Sequence, residues 1–110
     1  MGLTPERATV WIDGASVTIL PRRAPVGNSS PIRGHTLAIF PVAAEVEPAL
    51  VSALPEHAAD RFAATVEPDA RPALAVADLT ETAALAAARE VGLDEILYWD
   101  GRRAQIVACH

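Results

Sequence analysis

The chain has 110 residues, 51 % of them hydrophobic, a net charge of −5, and arginine at all nine of its cationic positions. That length predicts one domain, residues 1–110, able to bury a core without metals, and the single cysteine excludes an intrachain disulfide. The acidic balance argues against general nucleic-acid binding, which needs cations along the phosphates, and no apolar run approaches the ~20 residues of a membrane-spanning helix.

Residues 1–7 lack the apolar core of a secretion signal, so the expectation is a cytoplasmic protein. Thr9 to Leu20 predicts a hairpin, because Asp13-Gly14 suits a two-residue turn with positive φ. In that register Val10, Ile12, Ala15, Val17 and Ile19 share an apolar face, while Thr9, Trp11, Ser16 and Thr18 share a wetter one. Trp11 is then either covered by a helix or loop or a partner-facing anchor, since tryptophan is enriched in binding hot spots.

Pro21 to Gly34 holds three prolines, two glycines, an asparagine and two serines, which predicts a long loop over 21–35. Between Gly14 and Ala44 the only charged residues are Arg22, Arg23 and Arg33, with His35 beside them, whereas most acids lie after Glu45. Arginine forks suit phosphates and carboxylates, so Arg22, Arg23, Arg33 and His35 form a candidate anion site; the same arginines can equally pair with the chain's own acids.

Thr36 to Val42 is short, apolar and bounded by Gly34 and Pro41, and predicts a third strand. Pro48 fits a first helical turn, with Glu45 and Glu47 near the positive end of the dipole. Pro55 cannot lie inside an undistorted helix. The pattern therefore predicts a helix over Pro48–Ala53 and a second over Pro55–Val66, with Phe62 and Val66 on its apolar stripe. Glu67 to Pro72 is expected to be a connector. Ala73 to Ala77 predicts a central strand. Thr80 is the expected N-cap of an alanine-rich helix that Gly92 ends. Glu95 to Cys109 predicts a second hairpin, turned at Asp100-Gly101. The elements sum to an α+β domain in the order β-β-β-α-α-β-α-β-β, with one mostly antiparallel sheet, helices on one face and room for some parallel pairing.

The chemistry of the sequence is sparse. It has no nucleotide loop, no metal-spaced His/Cys cluster and no Gly-x-Ser-x-Gly elbow, so neither metal nor cofactor is expected. His35, His57 and His110 are scattered, and Cys109 and His110 would point to opposite faces of a strand.

Pro72 to Cys109 resembles the C-terminal half of a small bacterial family of unknown function. The matching residues are Ala75-Val76-Ala77-Asp78-Leu79-Thr80, Ala83-Ala84-Leu85, Val91-Gly92-Leu93 and Ile96-Leu97-Tyr98-Trp99-Asp100-Gly101. Leu93 stands where that family has glutamine. Leu37-Ala38-Ile39-Phe40-Pro41 replaces its Thr-Ala-x-Asn-Pro segment, so the resemblance implies a fold and no reaction.

A complete fold signal without a catalytic constellation predicts a non-enzymatic interaction module of the accessory, regulatory or immunity type. The rival reading is a small-molecule enzyme or sensor that binds an anion at the 21–35 loop. The expected partner is another protein, including a second copy of the chain. In that case the N-terminal hairpin, with Thr9 and Trp11, is the expected edge of contact, because Arg102 and Arg103 guard the C-terminal one.

Gly101→Val places a β-branched residue where positive φ is required. It is expected to cost about 1–3 kcal/mol in urea melts, more than Gly27→Val in the 21–34 segment.

Overall fold

The computed structural model of the chain describes residues 7–12, 14–20, 26–27, 35–55, 60–67, 70–101 and 103–108. Its elements are β1 (Arg7–Ile12), β2 (Ala15–Ile19), β3 (Val26–Gly27), β4 (Leu37–Phe40), α1 (Glu47–Ala53), β5 (Arg61–Glu67), β6 (Arg71–Ala77), α2 (Glu81–Glu90), β7 (Glu95–Trp99) and β8 (Ala104–Ala108). The strands form one sheet in the order β3-β2-β1-β5-β6-β4-β7-β8. Every pairing is antiparallel, so the parallel pairing that the sequence left room for is not found among the described residues.

The first hairpin follows its turn chemistry. Ile12 pairs with Ala15, and Gly14 takes φ +83°. The second hairpin differs by one residue from the expected turn. Trp99 pairs with Ala104, and the Asp100 N–H donates to the Arg103 carbonyl at 3.1 Å. Asp100 is thus the first residue of the turn and not a central one. Its carboxylate Oδ1 accepts from the Arg103 N–H at 3.0 Å, as aspartate commonly does at that position. Gly101, at φ +101°, still occupies a conformation that a β-branched residue cannot share.

Three further expectations are corrected. The helix over Pro55–Val66 is not present: Arg61–Glu67 is strand β5. Phe62 and Val66 are four apart, which fits one helical face, but with Ala64 between them they also fit the period of two of a strand. Pairing decides for the strand, since β5 bonds β1 on one side and β6 on the other. The expected connector 67–72 joins two paired strands, with Glu67 the last residue of β5, Ala70 at φ +46° and β6 already begun at Arg71. Within the expected loop 21–35, Val26 and Gly27 pair with Thr18 and Val17 as β3. In the N-terminal hairpin β1 lies between β2 and β5, and β3 pairs with β2 at Val17 and Thr18.

Two apolar clusters lie on opposite faces of the sheet. The first gathers Ala8, Val10, Ile12, Val17, Ile19, Leu37, Ile39, Ala64, Val66, Ala75, Ala77, Leu97, Trp99 and Ala104, from seven strands and neither helix. Side chains this buried, with no described helix over them, mean that the sheet curls and covers its own concave face. Strand β6, fifth in the order, permits the bend. After Arg71 at its start, its concave face carries Ala73, Ala75 and Ala77, and Ala75 sits between Phe62 on β5 and Ile39 on β4. Small side chains at the centre leave volume for larger ones from both sides, as in the taper of small barrels.

The second cluster joins α1 and α2 to the convex face of β4, β6 and β7 through Ala38, Phe40, Leu50, Leu74, Val76, Ala84, Ala87, Ala88, Ile96 and Tyr98. Helix α2 presents methyl groups at 84, 87 and 88, which lets its backbone approach the sheet closely. Thr80 caps it, its hydroxyl accepting from the Ala83 N–H at 3.1 Å. Gly92, at φ +76°, ends it.

Ala75→Leu adds three carbons at the bend, between Phe62 and Ile39. It is expected to destabilise the fold by about 1–3 kcal/mol through overpacking. Ala86→Leu, on the exposed side of α2, is expected to stay within about 0.5 kcal/mol of the parent. Chemical denaturation of the two variants checks the pair.

Candidate functional site

The sequence singles out Trp11, Arg22, Arg23, Arg33 and His35. Arg22, Arg23 and Arg33 lie outside the described residues, as do His57, Cys109 and His110. Trp11 and His35 are described, on different parts of the sheet.

Trp11 is on β1, with its side chain on the convex face. Among the described residues it is the large hydrophobic that stays exposed, at 44 %. The two helices cover β4, β6 and β7, and no described helix lies over β2, β1 and β5. That half-face is regular because the register is regular. Thr9 is flanked by Thr18 on β2 and Thr65 on β5, and Trp11 is paired with Ser16. At the far end Arg7 lies opposite Glu67, with Nη2 and Oε1 3.9 Å apart. Such an exposed pair adds little stability. The result is a platform of hydroxyls around one aromatic ring, with Arg7 and Glu67 at one end of the strands and the exposed Arg61 at the other end of β5. Its strands are hydrogen-bonded on both sides, so the ring is presented on a fixed backbone.

His35 stands just before β4, and its Nδ1 lies 3.0 Å from Oδ1 of Asp78. The two residues are 43 apart in sequence, and the antiparallel β4–β6 register brings them together. Both are about half exposed, at 54 % and 55 %. Asp78 follows β6 with φ +60°, a left-handed conformation that aspartate tolerates. Several bonds hold this corner. The Asp78 N–H donates to the Thr36 carbonyl at 2.9 Å. The buried Leu79 carbonyl accepts from the Tyr98 hydroxyl at 2.7 Å and from the Thr36 hydroxyl at 3.1 Å. Asp60 and Asp100 lie at the same end of the sheet, since Asp60 precedes β5 and Asp100 follows β7. The sequence carried no signal for the roles of Asp78, Thr36 and Tyr98, because each depends on pairing between distant segments.

Among the described residues His35 hydrogen-bonds only to a carboxylate, and the neighbouring acids repel an anionic ligand. No group of three or more metal-ligating side chains occurs among the described residues. A shallow hollow of about 330 Å³ between the helices is lined by Ala49, Ser52, Ala53, Glu90 and Val91, with Glu90 as its only charged group. The indole Nε1 of Trp99 is buried on the concave side without a hydrogen-bond partner among the described residues. No described helix is long and apolar enough to cross a membrane.

Comparison of the chain with protein-family models, with curated proteins and with solved structures finds no match.

Because two hydroxyls share one buried carbonyl, Tyr98→Phe and Thr36→Val are each expected to cost about 0.5–1.5 kcal/mol. The double variant leaves the Leu79 carbonyl without a described side-chain donor. It is expected to lose about 1 kcal/mol more than the sum of the singles. A double-mutant cycle by urea denaturation measures the difference.

Proposed function

We propose that the chain is a non-enzymatic protein-interaction module, of the accessory, regulatory or immunity type, that works in the cytoplasm through the convex face of β2, β1 and β5. The observation that carries this reading is the exposure of Trp11, at 44 %, on an interior strand of the sheet. Removing an exposed tryptophan from water on binding a partner is among the larger single contributions to protein association. The surrounding Thr9, Thr18, Thr65 and Ser16 supply short hydroxyls that lose little side-chain entropy on binding. Arg7 and Arg61 are too few cations on this face to favour a polyanion, which needs cations along its phosphates.

The alternative is an enzyme or sensor holding an anion at residues 21–35. Of its four proposed ligands only His35 lies among the described residues, and that side chain faces the Asp78 carboxylate.

A photo-crosslinking residue placed at Trp11, expressed in the cell of origin, is expected to trap a protein partner. The same residue at Ala86, on the far helix, is expected to trap none. With the purified partner, Trp11→Ala is expected to weaken binding by 2 kcal/mol or more, about 30-fold, in calorimetry, with the melting temperature kept. Equal binding by Trp11→Ala would contradict the proposal, as would turnover of a small substrate by the parent protein alone.

A further inference from the structure

Strand β8 closes one end of the sheet, and β7 is its only strand neighbour among the described residues. The opposite end is closed by β3, which is two residues long and offers little to pair with. β8 is five residues long, and from Ala104 to Ala108 it carries neither charge nor proline. Edge strands of soluble proteins usually carry such residues to prevent pairing with other chains.

The hydrogen-bond phase of the hairpin fixes which backbone groups of β8 face outward. Asp100 and Arg103 form a hydrogen-bonded pair. In an antiparallel ladder such pairs alternate with pairs that do not exchange bonds. Tyr98–Gln105 and Ile96–Val107 therefore bond across the hairpin. The N–H and C=O groups of Ala104, Ile106 and Ala108 then point away from β7.

We propose that this edge pairs with the same edge of a second copy, antiparallel about a two-fold axis at Ile106. The pattern is self-complementary. Ile106 meets Ile106 of the second copy, and Ala104 meets Ala108, so each outward group finds a partner. On the concave side the half-buried Ile106 gains an apolar neighbour across the axis. The exposed Arg103 of each copy lies at opposite ends of the joint ladder, so like charges do not meet. The joint sheet doubles in width and leaves the Trp11 face of both copies on the convex side. The inference is independent of the function proposed for that face.

Light scattering of the full chain across micromolar to millimolar concentrations is expected to give twice the 11.6 kDa mass of the chain. Ala108→Pro removes one outward N–H and no bond to β7, and proline is accepted at such edge positions. It is expected to halve the mass and keep the melting temperature. Trp11→Ala is expected to leave the dimer intact. Ile106→Cys in a Cys109→Ser background is expected to form a disulfide-linked dimer on mild oxidation. Cα atoms of directly opposed hydrogen-bonded residues lie about 5.5 Å apart, within disulfide range. This linkage decides the matter even if Ala108→Pro fails to fold. A monomer at every concentration, a dimer indifferent to a folded Ala108→Pro, a dimer lost with Trp11→Ala, or failure of the Ile106→Cys link would each overturn the proposal.

Discussion

The curl of the sheet at β6 is the constraint on which the rest depends. Eight antiparallel strands with apolar residues on both faces need two covers, and two short helices can provide only one. The chain supplies the second cover by bending the sheet on itself. The bend needs small side chains on the inside of the central strand, which Ala73, Ala75 and Ala77 provide. It also needs large ones from the flanks, which come from Phe62, Leu37, Ile39, Leu97 and Trp99. With ~1.5–3 kcal/mol available for each fully buried aliphatic side chain, this face contributes as much to the fold as the one beneath the helices. The scarcity of aromatic residues, 5 % of the chain, fits a core filled by many small pieces.

The same constraint divides the convex face. The helices are tied to β4, β6 and β7 by the alanine stripe of α2 and by the bonds that converge on Leu79. The other half of the convex face keeps its short polar side chains and Trp11. A tryptophan left on a well-ordered interior strand is a feature that folding does not require. That is the physical ground for placing the contact surface there.

The sequence shows the local elements well and the long-range ones poorly. Gly14, Thr80 and Gly92 each act through backbone geometry within a few residues, and each stands where turn and cap chemistry put it. Arg61–Glu67 failed because Phe62 and Val66 satisfy helical and strand periods alike. Only pairing with β1 and β6, segments distant in sequence or across a hairpin, settles the choice. The placement of β4 between β6 and β7 has no local signature, so the meeting of His35 with Asp78 was not visible either. Trp11 was legible as lying on the wetter face, but whether anything covered it depended on where the helices went. A hairpin read alone has two free edges, and only the sheet order shows that β1 is interior and that β8 closes one end of the sheet.

The two tryptophans test this account most directly, because the curl buries one and exposes the other. Trp99 is 4 % exposed and Trp11 is 44 % exposed. The account predicts that Trp11→Phe, which leaves Trp99 as the only tryptophan, emits at short wavelength and resists acrylamide quenching. Trp99→Phe, which leaves Trp11, is predicted to emit at long wavelength and to quench readily while folded. A readily quenched Trp99 in the folded Trp11→Phe protein would mean that the concave face is open to water, and the curled sheet would be contradicted.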